Sequence, residues 1–515
     1  MRKGVGKIIH LHESDNVAVL IEPIVKDQKL ETYNGSGLSV IAREDIPKMH
    51  KVAVKPIANG ESILKFGQFI GYAYGNIAAG QHVHTHNCVV GEFEKDYAYC
   101  RDVRPTDFIS GANQANFAGF RRSNGKIGTR NYIGVLTTVN CSATVAKQIA
   151  AHFSSPEALA QFDNVDGVVA LTHESGCGMR SEGEGYETLQ RTFNGYICHP
   201  NFGAVLLVGL GCETMQVKKV LEDSGLAESD TFISYTIQDI GGTRAAVEKG
   251  VAAIKQLLPK VNRFHREPCP ASELIMAVQC GGSDAFSGIT ANPALGVAGD
   301  TLIRHGGTVI YSETPEIYGA EHLLTRRSAT TQVAEQLLER IRWWEDYTSK
   351  NGFELNNNPS PGNKEGGLTT ILEKSLGAQA KSGSTTMTGV YKYAEIVNNK
   401  GLVFMDSPGF DPVSVTGQVA SGATIVCFTT GRGSAFGYKP VPSIKLSSNT
   451  AIYKHMHEDI DINCGQILDG TKNLEGVGAE IFDKVIAVAS GEETKSELLG
   501  YGDAEFNPWK IGAVV

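Results

Sequence analysis

The sequence contains no apolar run of 18 or more residues, which excludes a membrane-spanning helix. It has no surplus of positive charge. Its 47 Lys and Arg stand against 56 Asp and Glu, a net charge of −9, so nucleic acid and anionic membrane are not expected partners. The opening Met1-Arg2-Lys3-Gly4 carries no hydrophobic signal core, and a cytoplasmic protein is expected. Ten cysteines in 515 residues are too sparse for a disulfide framework. There is no Walker loop, no Gly-x-Gly-x-x-Gly opening a βα unit and no Gly-x-Ser-x-Gly elbow, so nucleotide-driven and serine-hydrolase chemistry lose support. Internal repeats and low-complexity tracts are missing too.

What is present is an ordinary globular composition, 41% hydrophobic and 20% charged, in a chain long enough for about three domains. Residues 1–92 read as a small all-β domain: short apolar runs such as Val17–Ile21 and Val52–Val54 alternate with turn signals at Asn34-Gly35 and Asn59-Gly60. Residues 93–120 lose all periodicity and read as a linker. Beyond it, Ile133–Val139, Val168–Leu171, Ala204–Val208 and Leu274–Val278 are near-continuous apolar strands separated by helical stretches. That texture predicts parallel sheets covered on both faces. The expected division is an α/β domain over 121–262, a candidate dimerisation unit, and a parallel-sheet domain over 263–515, with the boundary where Pro259, Pro268 and Pro270 cluster. Further strands are expected at Gly307–Tyr311, Gly401–Met405, Ala423–Phe428 and Pro442–Ile444, and the stretch Asn356–Gly367 is expected to be an irregular, anion-accepting loop.

Three histidines on alternate positions, His82, His84 and His86, dominate the candidate chemistry. On one strand they would share a face, about 6 to 7 Å apart per step, as metal ligands or as acid/base groups. A second set competes for the metal. Cys141, Cys177, Cys212 and Cys280 each follow an apolar strand, where ligands of parallel sheets collect, and thiolates there suit an Fe–S cluster. Two Gly-rich acidic turns, Gly281-Gly282-Ser283-Asp284 and Gly211-Cys212-Glu213, place a carboxylate where a helix begins. Lys364, in a Gly/Pro loop with Asn363, and Arg432, between two glycines, suit a substrate carboxylate; Lys364 also suits proton transfer. Arg130 and Asn131 can be read as carboxylate binders in the same way.

Several long segments carry a resemblance: His82–Asn87, Gly128–Tyr132, His199–Gly203 with Gly209–Glu213, Cys280–Asp284 with Ser287–Pro293, Asn358–Lys364 and Thr430–Gly433. Together they resemble the altronate/galactarate dehydratase family over nearly the whole chain. The resemblance implies an N-terminal β-clip (SAF-like) domain, a second domain, a C-terminal Rossmann-like catalytic domain, and a divalent metal, Fe2+ first and Mn2+ second. It also implies loss of water from a small sugar acid. The histidine run points to the altronate branch, hence D-altronate converted to 2-keto-3-deoxy-D-gluconate, with galactarate as the alternative. Related lyases acting on sulfolactate split the β domain from the rest, and the fusion here weighs against them. The mechanism then expected has His84, His86, Lys364 and Asp284 as catalytic groups, with Arg130, Asn131, Ser283, Asn363 and Arg432 holding the substrate. A homodimer is the expected assembly. A sugar-acid-binding protein without turnover is the reading from a different class.

Overall fold

Short apolar runs broken by turns build two β-sheets at the N-terminus of the computed structural model, which describes residues 4–33, 37–91, 93–280 and 283–514. The Asn34-Gly35 turn and Gly281-Gly282 lie outside the described residues. The larger sheet runs in the order Ser39–Ile41, Lys29–Thr32, Gly6–Ile9, Val17–Leu20, Lys51–Ala53, His82–Val83, and the smaller one is Ser62–Lys65, Gln68–Ala73, Cys88–Val89. Gly60, at φ +79°, turns the chain into the smaller sheet, as a left-handed glycine does without strain. Ile8, Leu20, Leu30 and Val52 fill one core of this unit and Val17, Ile63, Ile70 and Val83 another.

The expected linker is irregular only in its first part. Asn116–Arg121 forms the centre of a three-stranded sheet between Ile127–Gly128 and Arg266–Pro270. The proline-rich segment is therefore not a bare boundary. Pro259 lies within the helix Thr243–Val261, while Pro268 and Pro270 sit in a strand that pairs on one side only, where a missing N–H costs no ladder bond.

The second sheet is wholly parallel, in the order Gly167–Leu171, Tyr132–Thr137, Phe202–Gly209, Phe232–Thr236. The third is also parallel, with seven strands: Met387–Tyr391, Gly401–Met405, Thr308–Tyr311, Ile275–Cys280, Ile425–Thr430, Ser443–Ser447, Ile462–Asn463. Every residue of Gly401–Met405, Ile425–Thr430 and Ser443–Ser447 is buried, the consequence of helices on both faces. The chain starts this sheet at Ile275–Cys280, builds one side, then returns to build the other from Ile425–Thr430. The topological switch point thus lies between the ends of those two strands, where a crevice opens in such sheets. No helix among the described residues is long and apolar enough to cross a membrane.

Candidate active site

The histidine run does not form one strand. The strand ends after Val83, because Asn87 folds back on it: its Oδ1 accepts from the His84 N–H at 2.9 Å and its Nδ2 donates to the His82 carbonyl at 2.8 Å. Such an Asx-type turn competes with the sheet ladder. The rings consequently gather instead of forming a row. His82 lies 5.4 Å from His84 and 5.3 Å from His86 between centroids. A fourth histidine joins from the neighbouring strand: His50 precedes Lys51–Ala53, and its ring is 5.1 Å from His82 and 4.5 Å from His84. His50 Nδ1 and His82 Nε2 are 2.9 Å apart.

Ring nitrogens of His50, His82 and His84 lie within 4.8 Å of one another. The exposed His86 is outside this set, so the geometry groups His50 with His82 and His84 in the place the sequence pattern offered to His86. Burial, with neighbouring imidazoles adding to it, pushes His82 down to about 3; burial, with Lys51 and His50, pushes His84 down to about 4. Both are neutral near pH 7, as ligation requires. The buried Nδ1 of His84 has no hydrogen-bond partner. Three neutral imidazoles with an orphaned nitrogen fit a divalent transition metal.

The trio rests on the stretch expected to be a loop. Pro361–Glu365 is instead a short helix, because Ser360 accepts from the Asn363 N–H, Asn363 reaches back to the Ser360 N–H, and Pro361 opens the first turn. Its last residue meets the metal candidates: His50 Nε2 lies 3.2 Å from the Glu365 carbonyl oxygen. Arg432 reaches the Glu365 carboxylate at 3.2 Å, and both are exposed. Asn363 donates to the Ser283 carbonyl at 3.4 Å, and the Ser283 hydroxyl accepts from the Gly431 N–H at 2.5 Å. Lys364 is half-buried, and no carboxylate pairs with it among the described residues. One helix thus brings together the histidines, Arg432, Lys364, Asn363 and Ser283.

A cleft of about 900 Å³ opens on the other side, beyond the carboxyl ends of the seven-stranded sheet. Ser283, Ser360 and Asn363 line it together with Cys280, Glu316, Lys374 and Asp411. Lys374 donates to Glu316 and to Asn358, each at 2.6 Å, which leaves its third N–H for a ligand. Burial opposes that charge, yet Glu316 holds the ammonium above its ordinary value. Burial would raise Glu316, but Lys374 and Lys381 hold it low. Asp411 moves the other way: burial, with Glu316 nearby, pushes it up to about 6. Glu313, paired with Lys381 at 3.1 Å, is raised by burial and by Glu316. Cys280 at φ +54° and Glu313 at φ +73° hold backbone conformations that non-glycine residues rarely adopt, and such strain gathers at functional sites. The far wall is aromatic, with Trp344 and Trp509 stacked at 5.3 Å and Phe353 and Phe410 exposed at the rim.

Three other expected site residues are occupied elsewhere. Arg130 spends its guanidinium on Glu497 at 2.7 Å and on the carbonyls of Thr129, Val488 and Glu492, so no donor remains for a substrate. Asn131 is fully buried and ties Arg122, Asp166, Asn164 and Val261 together. Asp284 is buried beneath Gly431 and accepts from Ser287, Ser448 and Asn449, so it braces the switch point and does not face the cleft. Glu213 likewise closes its own turn through Thr138, Leu210 and Gly211. The four cysteines split: Cys280 lines the cleft, whereas Cys141, Cys177 and Cys212 follow strands of the second sheet.

Sequence reasoning missed His50, Glu316, Lys374 and Asp411. Glu316 and Asp411 follow the expected strands Gly307–Tyr311 and Gly401–Met405, so the strand-end rule applied to the cysteines finds them as well. His50 has no local signal, since 32 residues separate it from its partner.

The altronate/galactarate dehydratase SAF domain model matches residues 6–91, the second-domain model of D-galactarate dehydratase/altronate hydrolase matches 119–262, and the C-terminal D-galactarate/altronate dehydratase model matches 271–514. The chain is 36% identical to an altronate dehydratase of Bacillus subtilis (strain 168), covering 95% of this chain and 96% of that one. It is 38% identical to the L-threo-forming galactarate dehydratase of Escherichia coli (strain K12), over 97% and 96% of the two chains. With the altronate dehydratase of Escherichia coli (strain K12) it shares 35% identity, over 95% and 96%. Three consecutive domain matches and full-length relatives agree: the chain belongs to the altronate/galactarate dehydratase family.

Proposed function

We propose that the chain dehydrates a sugar acid, D-altronate to 2-keto-3-deoxy-D-gluconate, at the junction between the histidine trio and the strand-end cleft. The observation that carries this reading is one cleft in which a charged ammonium, a low carboxylate and a carboxyl titrating near neutrality stand side by side. Groups pushed apart in this way divide into charge holders and proton carriers.

Dehydration removes the C2 proton and the C3 hydroxyl, and the resulting enol tautomerises to the 2-keto acid. Lys374 meets the substrate carboxylate with its free N–H, while Asn358, Asn363 and Ser283 offer partners to the hydroxyls. Asp411, ionised at neutral pH, takes the C2 proton. Lys364, without a carboxylate partner among the described residues, protonates the departing hydroxyl, and Arg432 holds the far end of the sugar acid. The aromatic wall excludes water from the enol. A divalent ion held by His50, His82 and His84, Fe2+ first and Mn2+ second, would supply Lewis-acid stabilisation of the negative charge that develops at the carboxylate. His84 is then a ligand and not the base.

The test is to incubate the protein with ferrous iron, a reductant and either altronate or galactarate, and to measure the 2-keto-3-deoxy acid. Altronate is expected to turn over faster. Faster turnover of galactarate reassigns the substrate, and product from neither supports the sugar-acid-binding alternative.

A further inference from the structure

Of the ten cysteines, only Cys141, Cys177 and Cys212 are exposed. All three lie just past the carboxyl ends of three adjacent parallel strands, Tyr132–Thr137 in the middle with Gly167–Leu171 and Phe202–Gly209 beside it. Their loops interlock. The Asn140 N–H donates to the Ser175 carbonyl at 3.1 Å, and the Met215 N–H to the Gly176 carbonyl at 3.1 Å, so the Cys177 loop is pinned to both others. Gly176, at φ +99°, presses so closely on the Cys141 loop that a Cβ there would stand 2.1 Å from the Thr138 oxygen. Gln238 donates to Cys212 Sγ at 3.4 Å, which fixes where that sulfur stands at the rim of its loop. The Cys212 loop also carries a constrained glycine, Gly211 at φ +127°.

Three exposed thiols on one strand-end face form a set of soft ligands where parallel sheets bind their cofactors. Their placement does not suit a lone ion held by all three. Thiolates around one tetrahedral ion, with metal–sulfur bonds of about 2.3 Å, stand about 3.8 Å apart. Among the described residues the sulfurs of this trio do not come together within 4.8 Å; only the three histidines do. A polynuclear cage spreads its thiolates wider than a lone ion does. We infer that Cys141, Cys177 and Cys212 hold an iron–sulfur cluster on the second domain, separate from the histidine site, with one iron left without a cysteine ligand. The inference is independent of the sugar-acid reading.

The test uses the full chain, reconstituted anaerobically with ferrous iron, inorganic sulfide and a thiol reductant, then desalted. Broad absorbance near about 400 nm with bound iron and acid-labile sulfide is expected for the wild type and for His82→Ala/His84→Ala. Cys141→Ser, Cys177→Ser and Cys212→Ser should each lose most of that absorbance with unchanged circular dichroism. A wild type without the absorbance, or cysteine variants that retain it, overturns the inference. If a variant fails to fold, alkylation of the wild type decides: reconstitution should shield these three thiols from iodoacetamide, and equal labelling with and without the cluster contradicts it.

Discussion

Asp411 and Glu316 share one cleft yet titrate in opposite directions, because Glu316 has Lys374 at 2.6 Å while Asp411, among the described residues, receives the Gln279 amide at 3.3 Å and no ammonium. The C2 base must be deprotonated, so turnover should rise as pH passes through about 6. Asp411→Asn should lower kcat by about 10²- to 10⁴-fold and remove that limb of the pH–rate profile. An unchanged profile would take Asp411 out of the reaction. The histidines carry a second pH prediction. Burial first, and adjacent positive charge after it, keeps His82 and His84 neutral down to about 3 and about 4. Protons therefore compete with metal for these two rings only below that range, and burial pushes His50 down as well, so the acid fall in metal affinity should begin clearly below the ordinary imidazole range, as read by titration calorimetry. A fall beginning near pH 6.5 would mean ordinary, solvated imidazoles. The sequence displays His82, His84 and His86 as a pattern, but their roles depend on Asn87 and on His50. A turn-forming side chain and a cross-strand neighbour leave no trace in period-two spacing.

At the scale of elements, the Pro361–Glu365 helix joins the two halves of the site. Its cap was legible as Ser360-Pro361, yet the run of Asn, Gly and Pro around it outweighs that signal in any reading by composition. Ser360→Ala should destabilise the helix by about 1 kcal/mol and, by releasing Asn363, raise KM more than it lowers kcat. Equal loss in both would show that the helix does not position substrate. The parallel strands were far easier to read. Buried on both faces, they announce themselves as continuous apolar runs, and Gly401–Met405 appears with the expected limits. The strand Arg266–Pro270 escaped because prolines mark turns more often than unpaired strand edges.

Across the whole molecule, the β unit is bolted to the seven-stranded domain by Glu373, which accepts from Lys51 and Lys65 at 2.8 Å each with all three side chains buried. Sequence separations of 308 and 322 residues put this joint beyond any local pattern. Glu373→Gln would strand two buried ammonium groups, and a loss of about 3 to 5 kcal/mol is expected in chemical denaturation. A change under about 1 kcal/mol would mean that water reaches the lysines. The joint also sets the histidines against the Pro361–Glu365 helix, whose Asn363 lines the cleft. The central claim is therefore best tested on a single preparation, by measuring bound iron per chain and altronate turnover in His50→Ala, His82→Ala and His84→Ala. Iron and turnover should fall together in all three, with the fold retained. Full altronate turnover in a variant that has lost its iron would contradict the account.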